Sequence, residues 1–154
     1  MEIDSFEKYW NSSLKFLSYR PRSEKEVRDN LLKKKATQEV IEAVIKRLKG
    51  HKFINDEEFA SWFVRSRIGV KPKAARIIKM ELKQKGISEE TIDNLQFTID
   101  DLENAKKLLE KKVERYKNLE RNEIYNKLGS FLARRGFDWD TVKKAIDGVI
   151  FESH

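Results

Sequence analysis

The chain repeats one pattern three times, reading LLKKKATQEVI at 31–41, LKQKGISEETI at 82–92 and LARRGFDWDTV at 132–142. Each copy begins with leucine and passes through mainly basic residues to a helix-stop position, an apolar residue and a helix cap. The helix-stop position holds Lys35, Gly86 and Gly136. The capping position holds Thr37, Ser88 and Asp138. Because glycine adopts the left-handed conformation at low cost, each copy predicts the end of one helix and the start of the next.

The spacing of the copies indicates tandem modules. They are separated by 51 and 50 residues, and Pro21 and Pro72 share the 51-residue offset. Repetition at such a period is typical of stacked helical repeats. We therefore predict an all-α fold of three tandem three-helix modules, at 5–53, 54–98 and 99–152, forming an elongated, curved helical array. A left-handed lysine costs roughly 1 kcal/mol more than glycine, which leaves open whether the turn at Lys35 differs.

Apolar residues recur at i, i+3, i+4 and i+7 along most of the chain, which predicts amphipathic helices and no strand. Ser23, Asn55 and Asp100 each precede a glutamate by three residues, the spacing of a capping box. We expect Trp10, Trp139, Phe59, Trp62 and Phe63 to lie mainly in the core, although aromatic residues beside arginine, such as the last three, can also stack on bases. The pattern predicts nine helices, at about 6–19, 23–35, 38–49, 56–68, 72–85, 89–97, 101–117, 121–135 and 139–150.

The composition excludes several classes of site. The 154 residues include no cysteine and two histidines, so disulfides, thiolate metal sites and multi-imidazole sites are excluded. No Gly-Lys dipeptide, GxGxxG or HExxH pattern is present, which argues against nucleotide and zinc-protease sites. We therefore expect a non-enzymatic protein without cofactor or metal. With no signal-like N-terminus and no apolar run near the ~20 residues of a membrane helix, we expect a cytoplasmic location.

The charge balance favours an anionic partner. Lysine and arginine number 33 against 26 acidic residues, a net charge of +7. Between residues 55 and 99 every basic residue falls at 65–85, where only Glu81 opposes them. This cluster surrounds Gly69 and Pro72, a predicted loop of the kind where partner contacts concentrate. Arg134 and Arg135 could bind an anion or simply compensate the helix dipole.

Three stretches together resemble the RecX family: LSYRPRSEKEVR at 17–28, FINDEEFA at 53–60, and LARRGF at 132–137. The second stretch leads on to FVRSR at 63–67, KPK at 71–73, Arg76, EL at 81–82 and QKGI at 84–87. The resemblance extends over about residues 6–150. It implies an all-α protein of three tandem modules that binds the RecA recombinase, especially its filament on single-stranded DNA. It also implies inhibition of strand exchange, of ATP hydrolysis by RecA and of RecA-stimulated repressor cleavage. Some family members also contact DNA weakly, and a monomer is expected.

The basic residues that match these motifs are the candidate contacts for the RecA filament. They are Arg20, Arg22, Arg28, Arg65, Arg67, Lys71, Lys73, Arg76, Arg134 and Arg135. A helical nucleic-acid-binding module without a RecA partner stays open as an alternative. Such a module would bind DNA alone, tightly and with a steep salt dependence.

Overall fold

A computed structural model describes residues 3–70, 72–95 and 99–152, and every regular element within these ranges is an α-helix. The all-α class and the three tandem modules are confirmed, whereas the module limits and the elongated curvature stay predictions. The first module holds α1 Ile3–Tyr19, α2 Glu24–Lys33 and α3 Gln38–Gly50. The second holds α4 Asp56–Val70, α5 Ala75–Gln84 and α6 Glu89–Asp93. The third holds α7 Asp101–Glu110, α8 Val113–Tyr116, α9 Arg121–Ala133 and α10 Trp139–Glu152.

The helix predicted at 101–117 is wrong in one respect, because the described residues there form two helices. A turn at Lys111 and Lys112 separates α7 from the short α8. No glycine or proline marks this break, so the local sequence carries no signal for it. The helix predicted at 89–97 ends at Asp93, and residues 96–98 lie outside the described ranges.

The predicted caps begin the helices. Ser23 forms a full capping box, since its hydroxyl accepts from the Glu26 amide while the Glu26 carboxylate accepts from the Ser23 amide. This reciprocal pair satisfies donors that the first turn of a helix leaves without partners. The caps that accept an amide two or three residues onward are Thr37, Asn55, Ser88, Asp100 and Asp138.

The three copies of the repeat make the same turn. The backbone angle φ is 68° at Lys35, 84° at Gly86 and 90° at Gly136, so the lysine turn does not differ. The residue that follows donates its amide to the leucine that opens the copy. These bonds are Ala36 to Leu31 at 3.0 Å, Ile87 to Leu82 at 3.1 Å and Phe137 to Leu132 at 3.4 Å.

A fourth turn of this kind ends α3. Lys52 has a φ of 60°, and the Phe53 amide donates to the Leu48 carbonyl at 2.9 Å. Gly50 lies inside α3. The chain therefore takes the left-handed conformation not at this glycine but two residues later, at a lysine.

The described residues form two compact units. One comprises those of Met1–Phe63 and Glu81–Leu95, and the other comprises those of Val64–Met80 and Gln96–His154. In the first, α2 and α3 bury an aliphatic core on which Trp10 packs, partly buried. In the second, α7, α9 and α10 bury a core that includes Ala74. Phe59 and Phe63 are buried as expected, and Trp62 is partly buried. Trp139 is 66% exposed, so its assignment to the core is wrong.

Candidate partner-binding surface

A junction within the first unit joins the second helix of module one to the last turn of α5. The Ser23 hydroxyl, which is fully buried, donates to the Lys85 carbonyl at 2.7 Å. The Glu24 amide, at the first turn of α2, donates to the Asp56 carboxylate of α4 at 2.9 Å. The amino end of α2 thus rests on two elements of module two.

The second unit contains an equivalent junction, between the amino end of α5 and the last turn of α9. The Ala74 amide donates to the Arg135 carbonyl at 3.0 Å, and the Ala75 amide donates to the Asp101 carboxylate at 2.8 Å. Ala74 and Ala75 stand 51 residues after Ser23 and Glu24. The repeat therefore extends beyond the helices to the contacts between successive modules.

Close packing at these junctions explains the two glycines. A Cβ on Gly86 would lie 2.6 Å from the Cβ of Lys25, and one on Gly136 would overlap Ile77. Atoms this close cannot be accommodated without moving backbone. Lys35, which holds the same turn in module one, is exposed to solvent. Glycine therefore occurs where a helix of the preceding module leaves no room for a Cβ, and lysine occurs where the side chain extends into solvent.

Two arginines of the first unit, Arg20 and Arg28, are held by carboxylates. Arg20 pairs with Glu26 and stacks over the Trp62 ring, 5.6 Å from its centroid. Arg28 bridges Glu24 at 2.9 Å and Glu42 at 2.6 Å. Hydrogen bonds to Glu42 and then to Glu24 raise the pKa of Arg28 above its usual value. These side chains are committed to ion pairs within the chain, which weakens their candidacy as partner contacts.

Arg22 also has a structural role. Its guanidinium lies 3.8 Å from the centroid of the Phe16 ring, and its Nε donates to the Phe16 carbonyl at 3.2 Å. Burial, followed by the nearby charge of Arg20, lowers the pKa of Arg22 from its usual value. The side chain therefore fixes the link between α1 and α2.

The predicted cations of α4 and α5 fall in the second unit, where their exposure differs. Arg65 is exposed, Arg67 and Lys73 are half-buried, and Lys71 lies outside the described residues. Arg76 is exposed as a residue, yet its Nε donates to the Gly136 carbonyl at 2.8 Å. Arg76 therefore ties α5 to the turn after α9.

Arg134 and Arg135 differ in their contacts and in their exposure. Arg135 stacks on Phe131, 4.0 Å from the ring centroid, and its Nη1 donates to the Phe131 carbonyl at 3.4 Å. This arrangement favours dipole compensation at the end of α9. Arg134 is exposed. The second junction thus brings Lys73, Arg76, Arg134 and Arg135 to one place, through the Ala74–Arg135 and Arg76–Gly136 hydrogen bonds.

Sequence reasoning missed the two aspartates at the junctions. Asp56 and Asp101 are the first residues of α4 and α7, and each accepts the first amide of a helix in the preceding module. Burial, only partly offset by the Glu24 amide, raises the pKa of Asp56. Their shared position at the start of a module is the signal that identifies them.

Two other kinds of site are absent from the described ranges. Within 3–70, 72–95 and 99–152, no group of three or more histidine, cysteine or carboxylate side chains could hold a metal ion. No helix in that part of the chain has the length and apolar character needed to cross a membrane.

The sequence matches three models of one protein family. They are described as RecX, first, second and third three-helix domain, and match residues 10–48, 55–94 and 99–146. A protein of Bacillus subtilis named "Regulatory protein RecX" is 37% identical over 97% of this chain. The chain spans 58% of the length of that relative. A protein of the same name from Clostridium tetani is 36% identical, and the chain covers 71% of it.

Solved structures agree with the sequence comparison. The RecX crystal structure from Lactobacillus salivarius superposes with a TM-score of 0.80 at 28% identity, covering 97% of this chain and 99% of that one. A second crystal structure, of a regulatory protein RecX, has a TM-score of 0.76 at 31% identity and is covered over 74% of its length. The tandem three-helix domains, the sequence identity and the shared fold together place this chain in the RecX family.

Proposed function

We propose that this chain is a non-enzymatic regulator that binds RecA, in particular its filament on single-stranded DNA. Binding inhibits strand exchange, ATP hydrolysis by RecA and RecA-stimulated repressor cleavage. The observation that supports this proposal is the cationic surface at the second junction, on a chain that belongs to the RecX family. The relatives are named regulatory proteins, and the activity proposed here depends on binding alone.

The modular fold offers a mechanism for preferring the filament over free RecA. Each three-helix module supplies a small contact surface, which alone would bind weakly. Once one module is bound, the others meet neighbouring RecA subunits at a high effective concentration. A filament presents such neighbours and a free subunit does not. A protein bound along the filament in this way also occupies space that incoming duplex DNA needs.

The test is the steady-state ATPase rate of the cognate RecA on single-stranded DNA, measured while the full chain is titrated in. We expect inhibition that becomes complete as the chain is added. Inhibition well below one chain per RecA would indicate action on filament ends or on assembly, and inhibition near equal amounts would indicate coating. An unchanged ATPase rate at several chains per RecA would contradict the proposal.

Binding of the chain to the same DNA without RecA is the control. Weak binding alone, together with inhibition of RecA, supports a protein partner. Tight, salt-sensitive DNA binding without any effect on a preformed RecA filament would instead favour the nucleic-acid-binding module.

A further inference from the structure

Helices α2 and α5 occupy equivalent positions in modules one and two, 51 residues apart, but their charges differ. The cations are kept, since Lys25 and Arg28 of α2 correspond to Arg76 and Lys79 of α5. The acids are lost. Glu24, Glu26 and Asp29 of α2 correspond to Ala75, Ile77 and Met80 of α5. The positive charges that α2 neutralises are therefore left without the same partners on α5.

The structure shows what this replacement does to the exposed face of α5. In α2, Lys25 pairs with Asp29 at 2.8 Å across one helical turn. In α5 the place of that aspartate is taken by Met80, whose side chain is 47% exposed. Lys79 is exposed and makes no ion pair within the described residues. Since residues three and four apart share a helix face, Arg76, Lys79 and Met80 form one cationic and apolar stripe.

A second exchange of acid for apolar side chain occurs between module two and module three. Glu89, at the start of α6, pairs with Lys83 at 3.0 Å. Its equivalent 50 residues later is Trp139, at the start of α10, which is 66% exposed and lies beside Gly129 of α9. The turn that leads to Trp139 carries Arg134 and contacts Arg76 through the Gly136 carbonyl. Arg134 and Trp139 therefore lie two residues before and three residues after the glycine that Arg76 contacts.

We infer that Arg76, Lys79, Met80, Arg134 and Trp139 form a docking surface for an acidic protein surface with an apolar centre. We call these five residues the α5 docking surface. The inference rests on the proposed function, under which the partner is a RecA subunit in the filament. It locates the principal contact at the second junction, and it includes three residues that the family motifs do not contain: Lys79, Met80 and Trp139.

The composition of the surface favours a protein over nucleic acid as the partner. Tryptophan, methionine and arginine are enriched at protein interfaces, where a few such residues carry most of the binding energy. The long thioether of methionine adapts to an apolar pocket. Asp138 and Asp140 lie at the same edge, and hydrogen bonds from Thr141 lower the pKa of Asp138. Asp140 pairs with Lys144 at 3.1 Å, whereas no ion pair joins Asp138 to a cation within the described residues. The Asp138 carboxylate would repel a phosphate backbone, whereas a protein partner can place a cation opposite it.

The test transfers the charge pattern of module one to module two. Met80→Asp in the full chain places a carboxylate four residues after Arg76, as in the Lys25–Asp29 pair, so the helix should tolerate it. We expect the chain concentration that half-inhibits the RecA ATPase to rise at least about tenfold, because the new charge neutralises Arg76 and repels an acidic partner. Trp139→Ala should raise it by a similar factor.

Two matched controls lie in the first unit. Asp29→Met is the reverse exchange at the equivalent position, and Tyr19→Ala removes an aromatic side chain that is 70% exposed. Both variants should half-inhibit the RecA ATPase at a concentration within about twofold of that of the unaltered chain. Circular dichroism before and after heating verifies that each variant folds.

Each other outcome contradicts the inference in a distinct way. If Met80→Asp and Trp139→Ala half-inhibit the RecA ATPase at a concentration within about twofold of that of the unaltered chain, the α5 docking surface is overturned and the proposed function stays intact. Equal weakening of binding to single-stranded DNA alone would identify a nucleic-acid surface instead. Failure of the unaltered chain to inhibit RecA would overturn the proposed function and, with it, the partner assigned here.

Discussion

At the scale of single residues, the left-handed position of the repeat shows how packing selects an amino acid. Lys35, Gly86 and Gly136 have similar positive φ angles, but at the two glycines a Cβ would collide with a helix of the preceding module. Lys35 has the backbone strain of a side chain with positive φ. That strain is tolerated because its side chain extends into solvent.

Exchanges at this position should have opposite effects in different modules. Lys35→Gly should raise the free energy of unfolding by about 0.5–1 kcal/mol, since it relieves strain without removing a contact. Gly136→Ala should lower it by roughly 2–3 kcal/mol, because strain is added to an overlap with Ile77. Urea titration of each full-length variant measures these two changes in the free energy of unfolding. If Gly136→Ala lowered the free energy of unfolding by no more than Lys35→Gly raises it, packing would not be what selects the glycine.

A pH-dependent contribution comes from Glu26. Burial alone would raise the pKa of Glu26, but hydrogen bonds from Arg20 and the Ser23 amide outweigh it, so the pKa is lowered. A carboxyl whose pKa is lower in the folded chain stabilises the fold above its unfolded pKa, and that stabilisation is lost as the pH falls through the folded pKa.

Glu26→Gln should therefore lower the free energy of unfolding by about 1 kcal/mol at pH 7. The difference from the unaltered chain should shrink as the solution is acidified below the usual carboxyl pKa. Urea titrations at a series of pH values measure it, with the exposed Glu39→Gln as the control. A difference that stays constant down to pH 3 would contradict the role given to the Glu26 charge.

At the scale of helices, the local sequence predicts where a helix ends better than whether a predicted helix is continuous. Caps and left-handed turns involve residues at most five positions apart, so the sequence pattern contains all of the interaction. The break between α7 and α8 lacks such a signal. Pairings within the candidate site are also invisible locally, since Arg28 meets Glu42 across 14 residues and Arg76 meets Gly136 across 60. The sequence therefore identified the cations but not which of them are neutralised.

A helix cap that also contacts the next module should contribute more to the free energy of unfolding than a cap that does not. Ser23 caps α2 and donates to the Lys85 carbonyl, whereas Thr37 only caps α3. Ser23→Ala should cost roughly 2 kcal/mol and Thr37→Ala about 1 kcal/mol, because the first also leaves a carbonyl without its donor. Thermal and urea unfolding compare the two variants. Similar costs would mean that the Lys85 contact adds little.

At the scale of the whole molecule, charge is dispersed rather than concentrated. The net charge of +7 comes from 33 basic and 26 acidic residues, and many of the first unit's cations are paired. Nucleic-acid affinity grows with the number of phosphates that unpaired cations neutralise. The family resemblance thus predicted the fold and the partner class, whereas the comparison of α2 with α5 was needed to identify unpaired cations.

Direct binding of the full chain to single-stranded DNA should accordingly be weak and sensitive to salt. We expect a Kd no tighter than about 1 μM at 150 mM salt, and a salt slope equivalent to only a few phosphates. Fluorescence anisotropy with a labelled oligonucleotide measures both. A Kd in the low nanomolar range at that salt would contradict the dispersed-charge interpretation.

The covered glycine turn also allows modules to be counted in longer sequences. A turn of this pattern with glycine at the left-handed position marks a place where a preceding module stacks, and one with lysine marks an open face. In any relative longer than this chain, each additional glycine turn followed by an apolar residue and a Ser, Thr or Asp cap should signify one more stacked module. Engineering a fourth module ahead of module one would, for the same reason, require glycine at position 35.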